Sequence, residues 1–318
     1  PLAYSAVVLI KIGLAGLCMM AYLRYTCHMN VKGLLFAVTY ALSGFVAVYG
    51  WSVMWMDGVA ALPLIMLGLR KLSRKENPVT YILTLAYALF CNYYIGFMIC
   101  LFSVLYIVCM ALENRAVLRR AWVFMGASVL AAGLAAVMLV PAYVAISSGY
   151  KMFDLSDVTI SRVSSLFSIM TKAYTGAVSV EQIRYGQPNY YIGIPLLALA
   201  LGYLLNPSVP LRRRLYAVVL PGLLLVSFII KPLYLLWHGF EFPSGFPARF
   251  SFLFSFVLIE LAAQGYLHMP RPATAVYRRR MLCLGVGMVA FTAIAFQKDV
   301  EPYLTFETVV FDVFAFLV

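Results

Sequence analysis

Charge is what this sequence has least of. Only 11% of its 318 residues are Asp, Glu, Lys or Arg, against roughly 25% in ordinary soluble domains. A chain so poor in charge, 64% hydrophobic and with a mean hydropathy of +0.92, does not read as a globular domain in water. Histidine is scarcer still. His28, His238 and His268 are the only three, and with no HExxH pattern a histidine-rich metal site is unsupported. The six cysteines (Cys18, Cys27, Cys91, Cys100, Cys109, Cys283) lie in or beside apolar runs, without CxxC or Cys/His metal spacing, and read as small buried hydrophobes. A Walker loop, a GxSxG elbow and a dinucleotide fingerprint are all missing, which sets those chemistries aside. No cleavable signal pattern occurs. The chain opens at Pro1 without an initiator Met and stops in an apolar run at Val318, so an internal piece of a longer polypeptide is expected.

Apolar runs fill the sequence. Ten can be read, at about residues 2–23, 33–50, 56–69, 78–91, 95–112, 122–146, 189–205, 215–230, 249–267 and 281–297. The expected fold class is therefore an all-α polytopic membrane protein of about ten transmembrane or re-entrant helices, forming a single transmembrane domain over 1–318. The third and fourth runs are short for a full span and are expected to be tilted partners or re-entrant.

The net charge of +12 would suggest nucleic acid in a soluble protein. Here the basic residues cluster in short gaps between apolar runs, the pattern of cytoplasmic loops, so nucleic acid is not expected as a partner. Assigning alternate gaps to one side places 16 of the 24 Lys and Arg together with only Glu76 and Glu113. The opposite side receives most acids, including Asp154, Asp157, Glu181, Glu241, Asp299 and Glu301. The positive-inside rule then puts both chain ends on the extracytoplasmic side, with extracytoplasmic loops at 147–188 and, re-entrant, at 231–249. Within the first of these, Ile160–Ile169 is modestly amphipathic and is expected to lie flat in the interface. NYYIG occurs twice, at Asn92–Gly96 and Asn189–Gly193, where reuse of an interfacial anchor is the leading reading.

Several polar groups stand out. Trp237–Phe256 reads WHGFEFPSGFPARFSFLFSF and places His238, Glu241, Ser244 and Arg249 among aromatics and two prolines. A proline-broken backbone cannot face lipid unpaired, so this stretch belongs at the surface or in a protein-lined cavity. It is either a binding site or an aromatic belt. Asp57, in WSVMWMDGV, is available as a general base or cation ligand between Trp51 and Trp55, or as a residue that starts a helix. Asn92, Tyr93 and Tyr94 offer either a headgroup anchor or a stacking face with amide hydrogen bonds. Lys11 interrupts the first run and calls for a cavity or a partner, for which Glu260 is one candidate. Arg249 suits a phosphate through paired donors, and His238 could share that anion or move a proton.

The segments WSVMWMDGVAALPLIMLGLRKL, CNYYIGFMICLFSVLYIV and LWHGFEFPSGFPARFSFLFSFVLI together resemble the YfhO-like bacterial membrane proteins, in the same order from about Lys11 to Ala263. That family is similar to polytopic glycosyltransferases of the GT-C type. The resemblance implies a polyprenyl-phosphate-linked sugar donor and a cell-envelope glycopolymer acceptor such as teichoic acid, used in contact with membrane lipids on the outer face. Carried onto this chain, the matching positions are Asp57, Asn92, Tyr93, Tyr94, His238, Glu241, Pro243, Pro247 and Arg249, with Asp57 and Glu241 expected as catalytic carboxylates and Asn92, Tyr93, Tyr94, His238 and Arg249 as substrate-binding groups; Lys11 joins the substrate-binding groups on its intramembrane position alone. The resemblance implies no fixed cofactor, leaving room for a divalent cation. It also implies that a first span and an acidic outer loop lie upstream of Pro1, so that the chain alone would be catalytically incomplete. The competing classes are a lipid or polymer flippase or transporter, which an inverted repeat would favour, and a non-catalytic membrane scaffold.

Overall fold

A computed structural model describes residues 2–149, 159–176, 183, 186–297 and 305–317. Among the described residues the regular structure is helix, apart from one isolated bridge between Arg162 and Ile230. Five helical stretches are long and apolar enough to cross a membrane: Leu2–Cys27, Val53–Ser73, Tyr93–Glu113, Arg115–Leu134 and Ser251–His268. Four shorter apolar stretches accompany them, at Gly33–Tyr49, Val79–Cys91, Ala136–Ser148 and Ile194–Leu205. The chain divides into two compact units. The first comprises Pro1–Ala41, Tyr49–Ile160 and Leu235–Phe242, and the second Leu42–Val48, Ser161–Tyr234 and Pro243–Val318.

The first unit holds α1 (Leu2–Cys27), α2 (Gly33–Ala41), α4 (Val53–Ser73), α5 (Val79–Cys91), α6 (Tyr93–Glu113), α7 (Ala121–Leu134) and α8 (Ala136–Gly149). The helix between α2 and α4, α3 (Gly44–Tyr49), lies mostly in the second unit. At the centre of the first unit is α4, with most of its residues buried against α1, α5 and α6. Glycines set those crossings. A Cβ on Gly68 would stand 2.5 Å from the Tyr81 amide nitrogen, and one on Gly58 2.4 Å from Ile95 Cγ2, so α5 and α6 approach α4 more closely than any side chain permits. The run expected to be short extends to 21 residues, because the WSVMWMD segment winds into the helix from Val53 onward. By contrast α5 remains 13 residues long.

Pro63 sits inside α4 and is buried. Lacking an N–H, it leaves the carbonyl of Val59, four residues earlier, without its helical donor. Tyr40 of α2 supplies the replacement, its hydroxyl donating to Val59 O at 2.7 Å. Both α1 and α4 end through left-handed non-glycine residues, His28 (φ 52) and Lys75 (φ 67). Each is followed by an amide that reaches back five or six residues, Met29 N to Leu23 O at 3.4 Å and Glu76 N to Lys71 O at 3.0 Å. Exposed apolar side chains such as Leu9, Ile10 and Leu17 of α1 and Trp122 and Val129 of α7 form the surface a hydrocarbon solvent would wet. Of the cysteines expected to be buried, Cys27 is; Cys18, Cys91, Cys100 and Cys109 are half-buried and Cys283 is exposed, all with free thiols.

The second unit is built round α13 (Ser251–His268), preceded by α9 (Leu166–Thr171), α10 (Ile194–Leu205), α11 (Leu211–Ile229) and most of α12 (Lys231–Trp237), and followed by α14 (Ala275–Gln297) and α15 (Phe306–Leu317). Here too a glycine sets the main crossing, since a Cβ on Gly265 would lie 2.0 Å from Leu199 O of α10. Aromatic rings fill the rest: Phe228 stacks on Phe250 at 4.6 Å, and Phe254 meets Tyr190 edge-on at 4.9 Å. The expected flat amphipathic section at Ile160–Ile169 is not one helix. Arg162 takes part in the bridge, and α9 starts only after Ser165, whose hydroxyl accepts from Phe167 N at 3.2 Å. Ile169 is fully buried rather than interfacial. The remainder of the 147–188 connection, with Asp154, Asp157 and Glu181, lies largely outside the described residues, as do Asp299 and Glu301.

Tyr40→Phe removes one hydroxyl and strands the buried Val59 carbonyl, for an expected loss of about 1–3 kcal/mol. Thermal unfolding in detergent should show the drop, and it should largely disappear in a Pro63→Ala background, where a backbone N–H satisfies the same carbonyl.

Candidate functional site

In the first unit, three elements meet on one carboxylate. Asp57 is the fifth residue of α4, one turn inside the helix and not at its N-cap, which is Ser52. Its Oδ2 takes the Lys11 ammonium of α1 at 2.6 Å, and its Oδ1 accepts the hydroxyl of Tyr87, on α5, at 2.9 Å. Lys11 also donates to Val53 O at 3.1 Å, one helical turn before Asp57. The Lys11 and Asp57 side chains are 18% and 13% exposed. Within an apolar helix a lone cation would be costly, and pairing with a helix-borne anion lowers that cost for both. Lys11 is thus matched by Asp57 and not by Glu260, which lies on α13 in the second unit.

Trp55 turns inward, edge-on to Tyr49 at 5.4 Å, while Trp51 stays half-exposed with its carbonyl bonded to the Tyr4 hydroxyl. The acid therefore rests on a lysine and a tyrosine hydroxyl. Tyr87 was not singled out by sequence reasoning. One tyrosine among 22, inside an apolar run, carries no signal of its own.

Asn92 caps α6. Its extended backbone (φ −157) lets Oδ1 accept from the amides of Tyr94 at 3.0 Å and Ile95 at 2.9 Å. Of the amide groups expected to meet substrate, the oxygen is thereby spent on the helix, leaving the side-chain NH2 as the part that can reach a ligand. Tyr93 is exposed and Tyr94 half-buried, the latter 6.4 Å from the ring of His238. His238 itself is buried. Since Gly58 abuts Ile95, the starts of α4 and α6 touch, and this end of the unit gathers Lys11, Asp57, Tyr87, Asn92, Tyr94 and His238.

Beyond His238 the chain turns through Gly239 (φ 68) and Phe240 (φ 66). Gly239 enters the left-handed region freely, whereas the bulky Phe240 does so at a steric cost. Glu241 follows and is exposed, its amide 3.4 Å from His238 O.

Arg249 belongs to the second unit. Its Nε and Nη2 donate to Phe246 O at 3.2 Å and Gly245 O at 3.0 Å, so two of five guanidinium donors fasten its own loop. That loop is also strained, with Phe246 at φ 54 and Ala248 at φ 51, and the Tyr234 hydroxyl accepts from Ala248 N at 2.8 Å.

The second NYYIG differs from the first. Asn189 and Tyr190 are buried, Tyr190 donates to Ile169 O at 2.9 Å, and the Tyr191 hydroxyl meets Thr175 Oγ1 at 2.8 Å. Thr175 is in turn held by Asp312 of α15, through its amide at 2.9 Å and its hydroxyl at 2.6 Å. These tyrosines brace the interior of the second unit and do not anchor a headgroup belt. Among the described residues no group of three His, Cys, Asp or Glu side chains could hold a metal ion.

Apolar helices of spanning length around paired intramembrane charges define a multi-pass helical membrane protein. The family model for the bacterial membrane protein YfhO matches residues 1–318, and the chain belongs to that family. No curated protein and no solved structure matches it.

Lys11→Met should cost about 3 kcal/mol or more by leaving the Asp57 carboxylate unpaired at low exposure. The double variant Lys11→Met/Asp57→Leu should recover most of that loss in thermal denaturation. Asn92→Ala should cost about 1 kcal/mol through loss of the α6 cap, read in the same experiment.

Proposed function

We propose that the chain forms the membrane part of an inverting glycosyltransferase that uses a polyprenyl-phosphate-linked sugar to modify a cell-envelope polymer such as teichoic acid on the outer face of the plasma membrane. The observation that carries this reading is the gathering of the three family-like segments at one end of the first unit, through Asp57, Asn92 with Tyr94, and His238 with Glu241. The other end of that unit is basic. Lys71 and Arg74 lie over the Tyr25 ring, and Arg70 reaches the Tyr106 hydroxyl at 2.9 Å. By the positive-inside rule the basic end is cytoplasmic, which supports an extracytoplasmic position for the Asp57 end.

In this reaction an acceptor hydroxyl attacks the anomeric carbon and the bond from that carbon to the lipid phosphate oxygen breaks. The hydroxyl proton passes to a carboxylate, and the lipid phosphate leaves with its charge stabilised by cationic donors. Glu241, exposed on a strained turn, is the carboxylate best able to accept a proton from an incoming group. Asp57, already holding two donors, contacts sugar or acceptor. His238 keeps the anion-holding role that its side-chain chemistry suggests.

The full-length protein in vesicles supplied with polyprenyl-phosphate sugars tests the reading. Glu241→Gln should lower transfer by about a hundredfold or more without changing expression, and translocation of the lipid without sugar transfer would instead identify a flippase. Undiminished transfer in Glu241→Gln rejects the role of that carboxylate.

A further inference from the structure

Asp57 is poorly arranged to remove a proton. Both of its oxygens already accept a hydrogen bond, Oδ2 from the Lys11 ammonium and Oδ1 from the Tyr87 hydroxyl. The cluster is well arranged for something else. A carboxylate has about four lone-pair sites and two are filled. The ammonium has three protons, of which Asp57 and Val53 O take two, leaving the third without an acceptor among the described residues. The Tyr87 oxygen gives its proton to Asp57 and, with the Cys91 thiol against it, retains one acceptor site. Donor and acceptor sites therefore stand side by side, which is what an alcohol group requires, being both at once.

Two further features narrow the ligand. Lys11 and Asp57 cancel, so the pair has no net charge with which to draw a phosphate. Half-exposed rings also lie at the same end: Tyr87 itself, Tyr4 seven residues before Lys11 on the same face of α1, and Trp51, whose carbonyl Tyr4 engages. Flat apolar faces beside paired hydroxyl partners suit the C–H face and the rim of a sugar ring. We infer that Lys11, Asp57 and Tyr87 form a receptor for the hydroxyls of a neutral sugar unit, with Tyr87 as a member of the site and Asp57 binding substrate without accepting its proton. The choice of ligand class rests on the glycosyl-transfer reading above; the residues and the neutrality come from the geometry.

Binding is measured separately from transfer. Full-length protein in nanodiscs is titrated with methyl glycosides of glucose, galactose, mannose and N-acetylglucosamine, following tryptophan fluorescence, with Trp51→Phe identifying the reporting ring. At least one glycoside should bind, inorganic phosphate should not displace it, and Tyr87→Phe should weaken it about tenfold. That variant keeps both the ring and the ion pair, and unfolding that stays cooperative, with its midpoint lowered by no more than one hydrogen bond accounts for, excludes a folding defect. In the transfer assay Asp57→Asn should raise KM more than it lowers kcat, opposite to Glu241→Gln. Failure of every glycoside to bind, displacement by phosphate, or affinity unchanged in Tyr87→Phe overturns the receptor. Binding as expected without any transfer leaves the receptor standing and removes the enzyme reading. Transfer with KM unchanged in Tyr87→Phe does the reverse.

Discussion

The bond between Lys11 and Asp57 is the constraint on which the first unit depends. Hydrocarbon offers polar groups nothing, so a lysine in an apolar helix must find its counterion on a neighbouring helix. That requirement fixes α1 against α4 at one end, and the Tyr87 hydroxyl adds α5 to the same point. Tyr40 meets the same demand elsewhere by replacing the donor that Pro63 lacks. In both cases a cost imposed by the solvent becomes a specific contact between helices, and it does so where apolar packing alone would leave rotation and sliding of the helices weakly determined.

Much of this was legible in the sequence. The apolar runs locate the helices because a spanning segment must satisfy its backbone internally, and the clustered arginines and lysines mark the gaps. The resemblance carried by WSVMWMDGV, NYYIG and HGFEFP is borne out by the family match over the whole chain. Partner choice was not legible. Lys11 invited a pairing with Glu260 because both are ionisable and intramembrane, yet distance along the chain says nothing of which helix lies alongside. The contact between Tyr87 and Asp57 left no trace in any local pattern. Nor did the difference between the two NYYIG copies: Tyr93 is exposed while its counterpart Tyr190 is buried and donates to Ile169 O, because tertiary surroundings decide what a tyrosine hydroxyl meets.

Hydropathy conceals helix breaks for a related reason. An unbroken apolar run at 122–146 hides a division at Ala135, and the run at 33–50 hides one at Leu42–Ser43. Hydropathy reports affinity for lipid, and it is indifferent to whether the backbone continues in one direction. In the proline-rich stretch the reverse holds. Pro243 and Pro247 announce irregular backbone, but the strain falls on Phe240, Phe246 and Ala248, residues with no innate preference for a left-handed conformation. Their conformation is imposed by what surrounds them, and part of that surround is the guanidinium of Arg249.

The fastening of Arg249 to Gly245 and Phe246 has a mechanical corollary. A latch made of hydrogen bonds to main-chain oxygen can be released by any stronger acceptor, and an anion is a stronger acceptor than an amide. An anion engaging those two guanidinium nitrogens would compete with the main-chain oxygens of a turn that is held against its own torsional preference.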